Sequence, residues 1–328
     1  MRPADLLNNQ ADLYHRMSGV PYYRNVIANS LRSPYVSARK TVPDFFLGDR
    51  AVDRLARWAQ SAMAIEVTPH MTDLITWVAA EMQPTDRVVI DSQPAPYGLV
   101  HFEQPLKVRD VRGSLLHLSW LLWGPVPLQV DGRMAKADAV VGFADTRAPD
   151  SEVDEYLRDL AEEGPDMLAA MGHWVYTSFT LLVDEDRVGP TYNEPHPDLP
   201  KDDPVWQGDL TGSTNVGRLV QALWTVMNQP IADLREEHPD RATKRRMERM
   251  KIPPAITVIT LRRPANPHRH DEEGHVEWQH HWVVRGHPRW QPYGEGRQER
   301  RLIWIAPHMK GNLDAPLKQS DKVYVVKR

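Results

Sequence analysis

The chain of 328 residues contains no cysteine, and this absence limits both its chemistry and its setting. Without thiols it forms neither a disulfide nor a thiolate metal site, and a reducing compartment is expected. No apolar run approaches the roughly 20 residues that a membrane span needs. The N-terminal segment carries acidic residues and no apolar core, unlike a secretory signal. The sequence thus predicts a cytoplasmic protein without a membrane segment.

The common signatures of nucleotide-using and hydrolytic enzymes are also missing. There is no G-x-x-x-x-G-K-[ST] phosphate loop, no G-x-S-x-G nucleophile elbow and no H-E-x-x-H zinc helix. Gly294-Glu295-Gly296 lacks the third glycine and the strand-to-helix context of a dinucleotide fingerprint. No motif assigns a reaction, so the sequence leaves open whether the chain is an enzyme.

Charge, in contrast, is present and unevenly distributed. Residues 241–328 contain 19 Lys and Arg against 9 Asp and Glu, whereas residues 1–240 contain 21 against 35. An asymmetry of this size usually marks an anionic partner for the basic part. The alternative is that the acidic part covers the basic one within the protein.

Hydrophobic periodicity predicts the secondary structure. Spacings of three and four residues indicate helices at 49–64, 69–81, 151–171, 213–227 and, with many basic residues, 240–251. Short apolar runs between turn signals indicate strands at 87–90, 97–102, 115–122, 127–130, 139–143, 173–183, 255–263, 277–285, 301–306 and 322–327.

These elements predict an α+β fold in which helices pack on an antiparallel sheet, with a smaller, basic, mainly β domain at the C-terminal end. We place an acidic α+β body at 1–212, connecting helices at 213–251 and the basic domain at 252–328. The change in charge sign and in secondary structure sets the last boundary.

Histidine is concentrated in the basic domain, where half of the 14 His residues lie between positions 268 and 308. If 277–287 is a strand, alternation places Glu277, His281 and Arg285 in one row, with His287 following Gly286. Trp278 and Trp282 then lie on the opposite face, which resembles a core face.

The first interpretation of this row is nucleic-acid binding, with RNA preferred. Basic side chains would contact phosphates and aromatic rings would stack on bases, a combination typical of small sheets that bind nucleic acid. The predicted residues are Arg285, Arg289, Trp290, Arg297, Arg300, Arg301, Trp304, His308 and Lys310.

The second interpretation is a metal-independent ribonuclease or toxin. Glu277 or His281 would deprotonate a 2′-hydroxyl, Arg285 would stabilise the charged phosphorane, and His287 would protonate the leaving oxygen. The same residue types also occur by chance on a polar strand face, so the row alone does not decide.

A metal site is a third interpretation, since His268, His270 and His275 offer donors for Zn or Mn. Pro267 and the run Asp271–Gly274 instead indicate a solvated loop that is rich in histidine. The loop is the favoured interpretation, and no cofactor and no metal ligand are predicted.

Two stretches of the C-terminal part carry a family resemblance. Trp282-Val-Val-Arg285-Gly-His287-Pro-Arg289-Trp-Gln291 is followed by Arg300-Arg301-Leu-Ile-Trp304-Ile-Ala-Pro-His308-Met-Lys310-Gly311. The pattern resembles an uncharacterised family of actinobacterial and actinobacteriophage or mobile-element proteins. The resemblance implies a phage or mobile-element context and supplies no catalytic residues. Besides the nucleic-acid and nuclease hypotheses, it leaves a virion or host-interaction protein, whose basic face docks an acidic partner, as an alternative.

Overall fold

The computed structural model describes residues 1–30, 40–41, 49–82, 88–109, 115–130, 133–147, 171–184, 210–211, 213–229, 232–261, 281–284, 287–293, 299–305 and 308–311, with isolated positions between 157 and 169 and at 296. The chain divides into two compact units, one of residues 1–228 and 232–260 and the other of 229–231 and 261–328. The basic domain was predicted to start at residue 252. The first unit instead extends to residue 260, so it contains the basic helix at 241–250 and most of the strand at 256–261.

In the described part of the first unit we number six helices in chain order. They are α1 (Pro3–Gly19), α2 (Pro21–Ser30), α3 (Asp49–Ser61), α4 (Pro69–Glu81), α5 (Ser213–Met227) and α6 (Arg241–Met250). A 3-10 turn covers Ile90–Ser92. No described helix is long and apolar enough to cross a membrane.

The strands up to residue 261 form a large mixed sheet and a small three-stranded sheet. They are β1 (Lys40–Thr41), β2 (Met63–Val67), β3 (Gly98–Arg109), β4 (Leu115–Pro125), β5 (Leu128–Val130), β6 (Arg133–Ala135), β7 (Ala137–Asp145), β8 (Trp174–Val183), β9 (Leu210–Thr211), β10 (Ala232–Glu237) and β11 (Ile256–Leu261). The large sheet has the order β10-β11-β2-β3-β4-β7-β8, and β9 pairs with β3. β11, β2 and β3 run parallel, whereas β3, β4, β7 and β8 are antiparallel.

Helices cover both faces of this sheet, and strand alternation assigns each residue to a face. On the first face Leu99, Trp120 and Phe143 join one core with α1, α2, α3 and the buried Met247 of α6. Burying such a face stabilises the fold by about 25 cal/mol for each Å² of apolar surface that is removed from water. Gly124 is required here because a Cβ would lie 2.5 Å from the Trp58 ring.

The second face packs against α4 and α5. Trp123 of β4 meets Trp224 of α5 edge to face, with 5.7 Å between the ring centroids. Arg218 of α5 is fully buried and donates to the carbonyl oxygens of Ala79, at 3.3 Å, and Met82, at 2.6 Å. Carbonyl groups at the end of α4 thereby gain donors that the helix itself cannot supply.

The predicted α+β class is confirmed, and so are the helices at 69–81 and 213–227. The sheet is mixed instead of antiparallel, because the predicted helix at 49–64 ends at Ser61 and is followed by β2. β2 is buried on both sides, so it lacks the alternation that identifies a half-exposed strand. With α4 and β3 it forms a parallel β-α-β unit.

Two further predictions were wrong where the structure describes the chain. Residues 88–90 of the predicted strand at 87–90 lead into the 3-10 turn, because Asp91 and Ser92 favour turn geometry over strand. The segment before α6 was expected to be helical and forms β10, a strand with mostly exposed, charged residues. Charged side chains are common on edge strands, where they discourage pairing with other chains.

The second unit contains two antiparallel ladders among its described residues. β12 (His281–Val284) pairs with β15 (His308–Gly311), and β13 (His287–Tyr293) pairs with β14 (Glu299–Ile305). In both ladders the residue numbers of each partner pair add up to 592, as in His281 with Gly311 and His287 with Ile305. The two ladders therefore share one continuous antiparallel register. The sequence predicted strands at 277–285 and 301–306 and missed β13 and β15; the predicted strand at 322–327 lies outside the described residues.

One carboxyl group is buried in the sheet without a strong counter-charge. Asp138 of β7 is 1% exposed, and its Oδ2 has no hydrogen-bond partner among the described residues. Burial raises the pKa of Asp138 to about 7, although Lys136 acts in the opposite direction. The uncharged form is therefore favoured in the folded chain well above the pH at which an unfolded Asp ionises.

We expect Asp138→Asn to stabilise the protein at pH 7 and to have little effect at pH 4. A folded pKa above the unfolded value gives stability that is present below about pH 4 and is lost as pH rises towards 7. The gain at pH 7 is at most about 4 kcal/mol, the equivalent of the pKa difference. Urea unfolding of both proteins at several pH values measures it, and a difference that does not change with pH would contradict the prediction.

Candidate functional sites

The residues predicted to bind nucleic acid are distributed along the two ladders of the second unit. Described strands contain His281, His287, Arg289, Trp290, Arg300, Arg301, Trp304, His308 and Lys310. Glu277, Arg285, Arg297 and the candidate metal ligands His268, His270 and His275 lie outside the described residues.

The register of the ladders gives the neighbours of these residues. His281 is opposite Gly311, and His287 is opposite Ile305, so the two histidines of the nuclease hypothesis are not cross-strand partners. Arg289, opposite Ile303, has an exposed side chain. The predicted catalytic row therefore stays a prediction, and Arg289 is an accessible cation.

The basic helix α6 is a second, independent concentration of positive charge. Residues 241–251 contain six Lys and Arg and one acidic residue, Glu248. Asp240 caps the helix by accepting hydrogen bonds from the backbone N–H groups of Ala242 and Thr243, at 2.9 and 3.0 Å. Met247 is fully buried and anchors α6 to the core shared with α1.

The basic side chains of α6 point away from that anchor. All five are exposed, namely Arg241, Lys244, Arg245, Arg246 and Arg249, and so is Lys251, directly after the helix. Arg241, Arg245 and Arg249 follow one another at four-residue steps, which places them in one stripe on the solvent side. Arg246 donates to Oδ1 of Asn8 on α1 at 3.1 Å. None of the described acidic residues forms an ion pair with the stripe.

A different kind of site lies beneath α1, on the first face of the sheet. Glu66 of β2 and His101 of β3 are register partners on parallel strands. His101 Nδ1 lies 2.9 Å from Oε2 of Glu66, and the side chains are 11% and 3% exposed. The α-amino group of Met1 donates to Oε1 of Glu66 at 2.9 Å.

A row of aromatic rings, each tilted against the next, extends from His101 along the face. His101 lies 4.3 Å from Trp120, Trp120 lies 4.7 Å from Trp174, and Trp174 lies 5.1 Å from His173, measured between ring centroids. Trp120 and Trp174 are fully buried. The rings hold the two histidines at opposite ends of one row, with Glu66 beside the first and Asp12 of α1 beside the second.

Polar groups of α1 and of the end of β7 close the site. Arg147 donates to both carboxylate oxygens of Asp145, at 3.0 and 2.9 Å, and to Oδ1 of Asn9 at 3.2 Å. Burial alone would raise the pKa of Asp145, but the hydrogen bonds from Arg147 hold it below its usual range. Trp120 Nε1 donates weakly to Asp145 at 3.4 Å. We call the residues Glu66, His101, Trp120, Asp145, Arg147, His173, Trp174, Asn9 and Asp12 the α1 polar cluster.

The strands carrying this cluster lose their regular register beside it. Pairing of β3 with β4 shifts after His101, pairing of β4 with β7 shifts before Trp120, and pairing of β7 with β8 shifts before Phe143. Irregularities of this kind re-aim side chains and are common next to functional sites. All three irregularities lie between strands that carry residues of the α1 polar cluster.

This cluster was not predicted from the sequence. Its signal was a single charged or ionisable residue inside an apolar strand, as in Ala-Ile-Glu66-Val and Leu-Val-His101-Phe. Such residues are rarely buried unless they are paired. The pairing itself depends on the parallel contact of β2 and β3, which local patterns do not reveal.

Comparison of the chain with protein-family models and with curated proteins finds no match. Within the described ranges, no group of three or more His, Asp and Glu residues is arranged to hold a metal ion.

The protonation of His173, a member of the α1 polar cluster, is shifted by its surroundings. Burial and the nearby Arg147 lower the pKa of His173 to about 4, although Asp145 and Asp12 act in the opposite direction. Its Nε2 lies 3.7 Å from Oδ2 of Asp12. The imidazole is thus uncharged at neutral pH, and protonating it in place is unfavourable.

We expect the stability of the protein to fall as the pH drops from about 6.5 to 4, and His173→Gln to remove that part of the fall. A depressed His pKa gives stability that is present above the unfolded value and lost towards the folded one. The contribution is at most about 3 kcal/mol. Urea unfolding across this range measures it, with the exposed His70→Gln as control. An unchanged pH profile in His173→Gln would contradict the assignment.

Proposed function

We propose that this chain binds nucleic acid, with RNA preferred, by neutralising backbone phosphates with exposed basic residues. The observation that carries the proposal is the arginine stripe of α6, formed by Arg241, Arg245 and Arg249. Closely spaced, exposed guanidinium groups suit phosphate oxygens, which they bind through paired N–H donors.

The stripe carries a cost to the stability of the helix. Like charges four residues apart destabilise a helix by about 0.2–0.5 kcal/mol per pair, and the stripe contains two such pairs. Lys251, directly after α6, has a left-handed backbone with φ of 57°. Glycine adopts that conformation without strain, whereas other residues pay about 1 kcal/mol or more. A basic residue where glycine fits better favours a role for the charge.

The composition of the second unit supports the same function. Residues 261–328 contain 13 Lys and Arg against 8 Asp and Glu, together with four of the 11 tryptophans. Arg289 is exposed on β13. Basic residues interleaved with aromatic ones on antiparallel strands are typical of surfaces that bind single-stranded nucleic acid.

The alternative hypothesis, in which the acidic body covers the basic residues, does not apply to α6. The helix belongs to the acidic unit, and its basic side chains are exposed. A cytoplasmic location and a phage or mobile-element context remain part of the proposal, on the grounds given by the sequence. A host-interaction protein that docks an acidic partner is the competing proposal.

We expect Arg245→Ala/Arg249→Ala to weaken binding to a fluorescent single-stranded RNA about tenfold or more at low salt. Each lost phosphate contact should also reduce the slope of log affinity against log salt by about 0.7. Fluorescence anisotropy across a salt series measures both quantities. Exposed substitutions of this kind leave the free energy of unfolding within about 0.5 kcal/mol.

A charge-matched control separates position from net charge. Arg50→Ala/Arg57→Ala removes two exposed arginines from α3 and should leave RNA affinity nearly unchanged. Equal losses in both double variants would mean that only overall charge matters and that α6 is not the binding surface. Absence of RNA and DNA binding at low salt would contradict the proposed function and favour an acidic protein partner.

A further inference from the structure

The pairing of Glu66 with His101 has the geometry of a proton-transfer dyad. The carboxylate and the imidazole project from adjacent parallel strands at the same register position, 2.9 Å apart. Glu66 is almost completely buried, whereas His101 keeps part of its surface exposed. The carboxylate is thus the more deeply buried member, and the imidazole, 11% exposed, is the member nearer to solvent.

The hydrogen bond with Glu66 determines what the other ring nitrogen can do. When Nδ1–H donates to an ionised carboxylate, Nε2 carries a lone pair and is able to accept a proton. None of the described residues hydrogen-bonds Nε2 of His101. A carboxylate that orients a histidine and stabilises its protonated form is the arrangement that activates general bases in enzymes.

The surroundings keep the ring in one orientation. The Trp120 ring contacts His101 at a tilt of 47°, with 4.3 Å between the centroids, and Trp120 in turn contacts Trp174 and donates to Asp145. The irregular pairing of β3 after His101 interrupts the regular strand at this point.

We propose that His101 is the general base, and Glu66 its positioning residue, of a ribonuclease activity. The inference rests on the proposed RNA binding and moves the catalytic site from the C-terminal histidines to the face beneath α1. RNA is the substrate class because its 2′-hydroxyl supplies the nucleophile, so a single oriented base suffices to start the reaction.

The reaction is an internal transesterification. Nε2 of His101 takes the proton of the 2′-hydroxyl, the 2′-oxygen forms a bond to the adjacent phosphorus, and the bond from phosphorus to the 5′-oxygen breaks. The departing 5′-oxygen takes a proton from water, and protonated His101 returns its proton to solvent. The products are a 2′,3′-cyclic phosphate and a free 5′-hydroxyl.

The test is cleavage of an end-labelled single-stranded RNA by the full chain in excess chelator, with DNA of the same sequence in parallel. We expect RNA to be cut to cyclic-phosphate ends and DNA to remain intact. His101→Asn should lower kcat about 100-fold or more, the usual contribution of a general base. Its amide still donates to Glu66 and has no basic nitrogen, so the fold is kept. Glu66→Gln should lower kcat with an unchanged KM.

Chemical rescue distinguishes catalysis from a structural role. Free imidazole should restore part of the activity of His101→Ala, because the truncated side chain leaves room for it, and should not affect His101→Asn. The exposed His70→Ala serves as the unaffected control. Intact RNA after long incubation, equal cutting of DNA, or full activity in His101→Asn would each overturn the dyad.

The same samples separate this inference from the proposed function. If RNA is bound in the anisotropy assay but is not cleaved, the catalytic dyad is contradicted and the binding surface on α6 is supported. Loss of cleavage in His101→Asn, together with unchanged RNA affinity in Arg245→Ala/Arg249→Ala, would support the catalytic dyad and contradict α6 as the binding surface.

Discussion

Burial of the large sheet on both faces is the constraint from which the rest of the structure follows. Strands β3, β4 and β7 lie between a layer containing α1, α2, α3 and α6 and a layer containing α4 and α5. Little water reaches these packed faces, where His101 keeps only part of its surface exposed. Each polar side chain that enters must therefore find a partner inside or lose its charge. Glu66 and Asp145 follow the first course, and Asp138 follows the second.

The helix α1 has a special position because it supplies many of those partners. Gln10 donates to the carbonyl oxygens of Ala59 and Ala62, at 2.8 and 3.0 Å, and so ties α1 to the end of α3. Asp12 accepts from Trp174 Nε1 at 3.1 Å and from Arg16 at 2.8 Å. One helix thus buries its apolar side and completes the polar network beneath it. A catalytic centre needs the same rigidity, since its groups must be held in place before substrate arrives.

Elements with a clear period were predictable from the sequence, and contacts between elements were not. The apolar stripe of α5 and the proline at the start of α4 gave their bounds directly. Thr68 is at the N-cap position before that proline, but its hydroxyl donates to the carbonyl oxygen of Ile259 and accepts no hydrogen bond from the N–H groups of α4. The dyad was hidden for the same reason, because Glu66 and His101 are 35 positions apart and meet only through a parallel crossover. In the C-terminal part, composition indicated a basic β domain, yet no local signal fixed the constant register of its ladders.

The division of the chain at residue 260 also changes what the charge asymmetry means. The first unit keeps 27 Lys and Arg against 36 Asp and Glu, although it includes the six basic residues of 241–251. A polyanion is therefore repelled by most of this unit and attracted by one helix. Such a field acts over roughly one Debye length, about 8–10 Å at physiological salt, and it favours one docking orientation over the others.

The basic helix and the α1 polar cluster border the same turn of α1. Arg246 of α6 donates to Asn8, and Arg147 of the cluster donates to the neighbouring Asn9. A strand of RNA guided to α6 would thus be guided towards the side of the unit that carries α1.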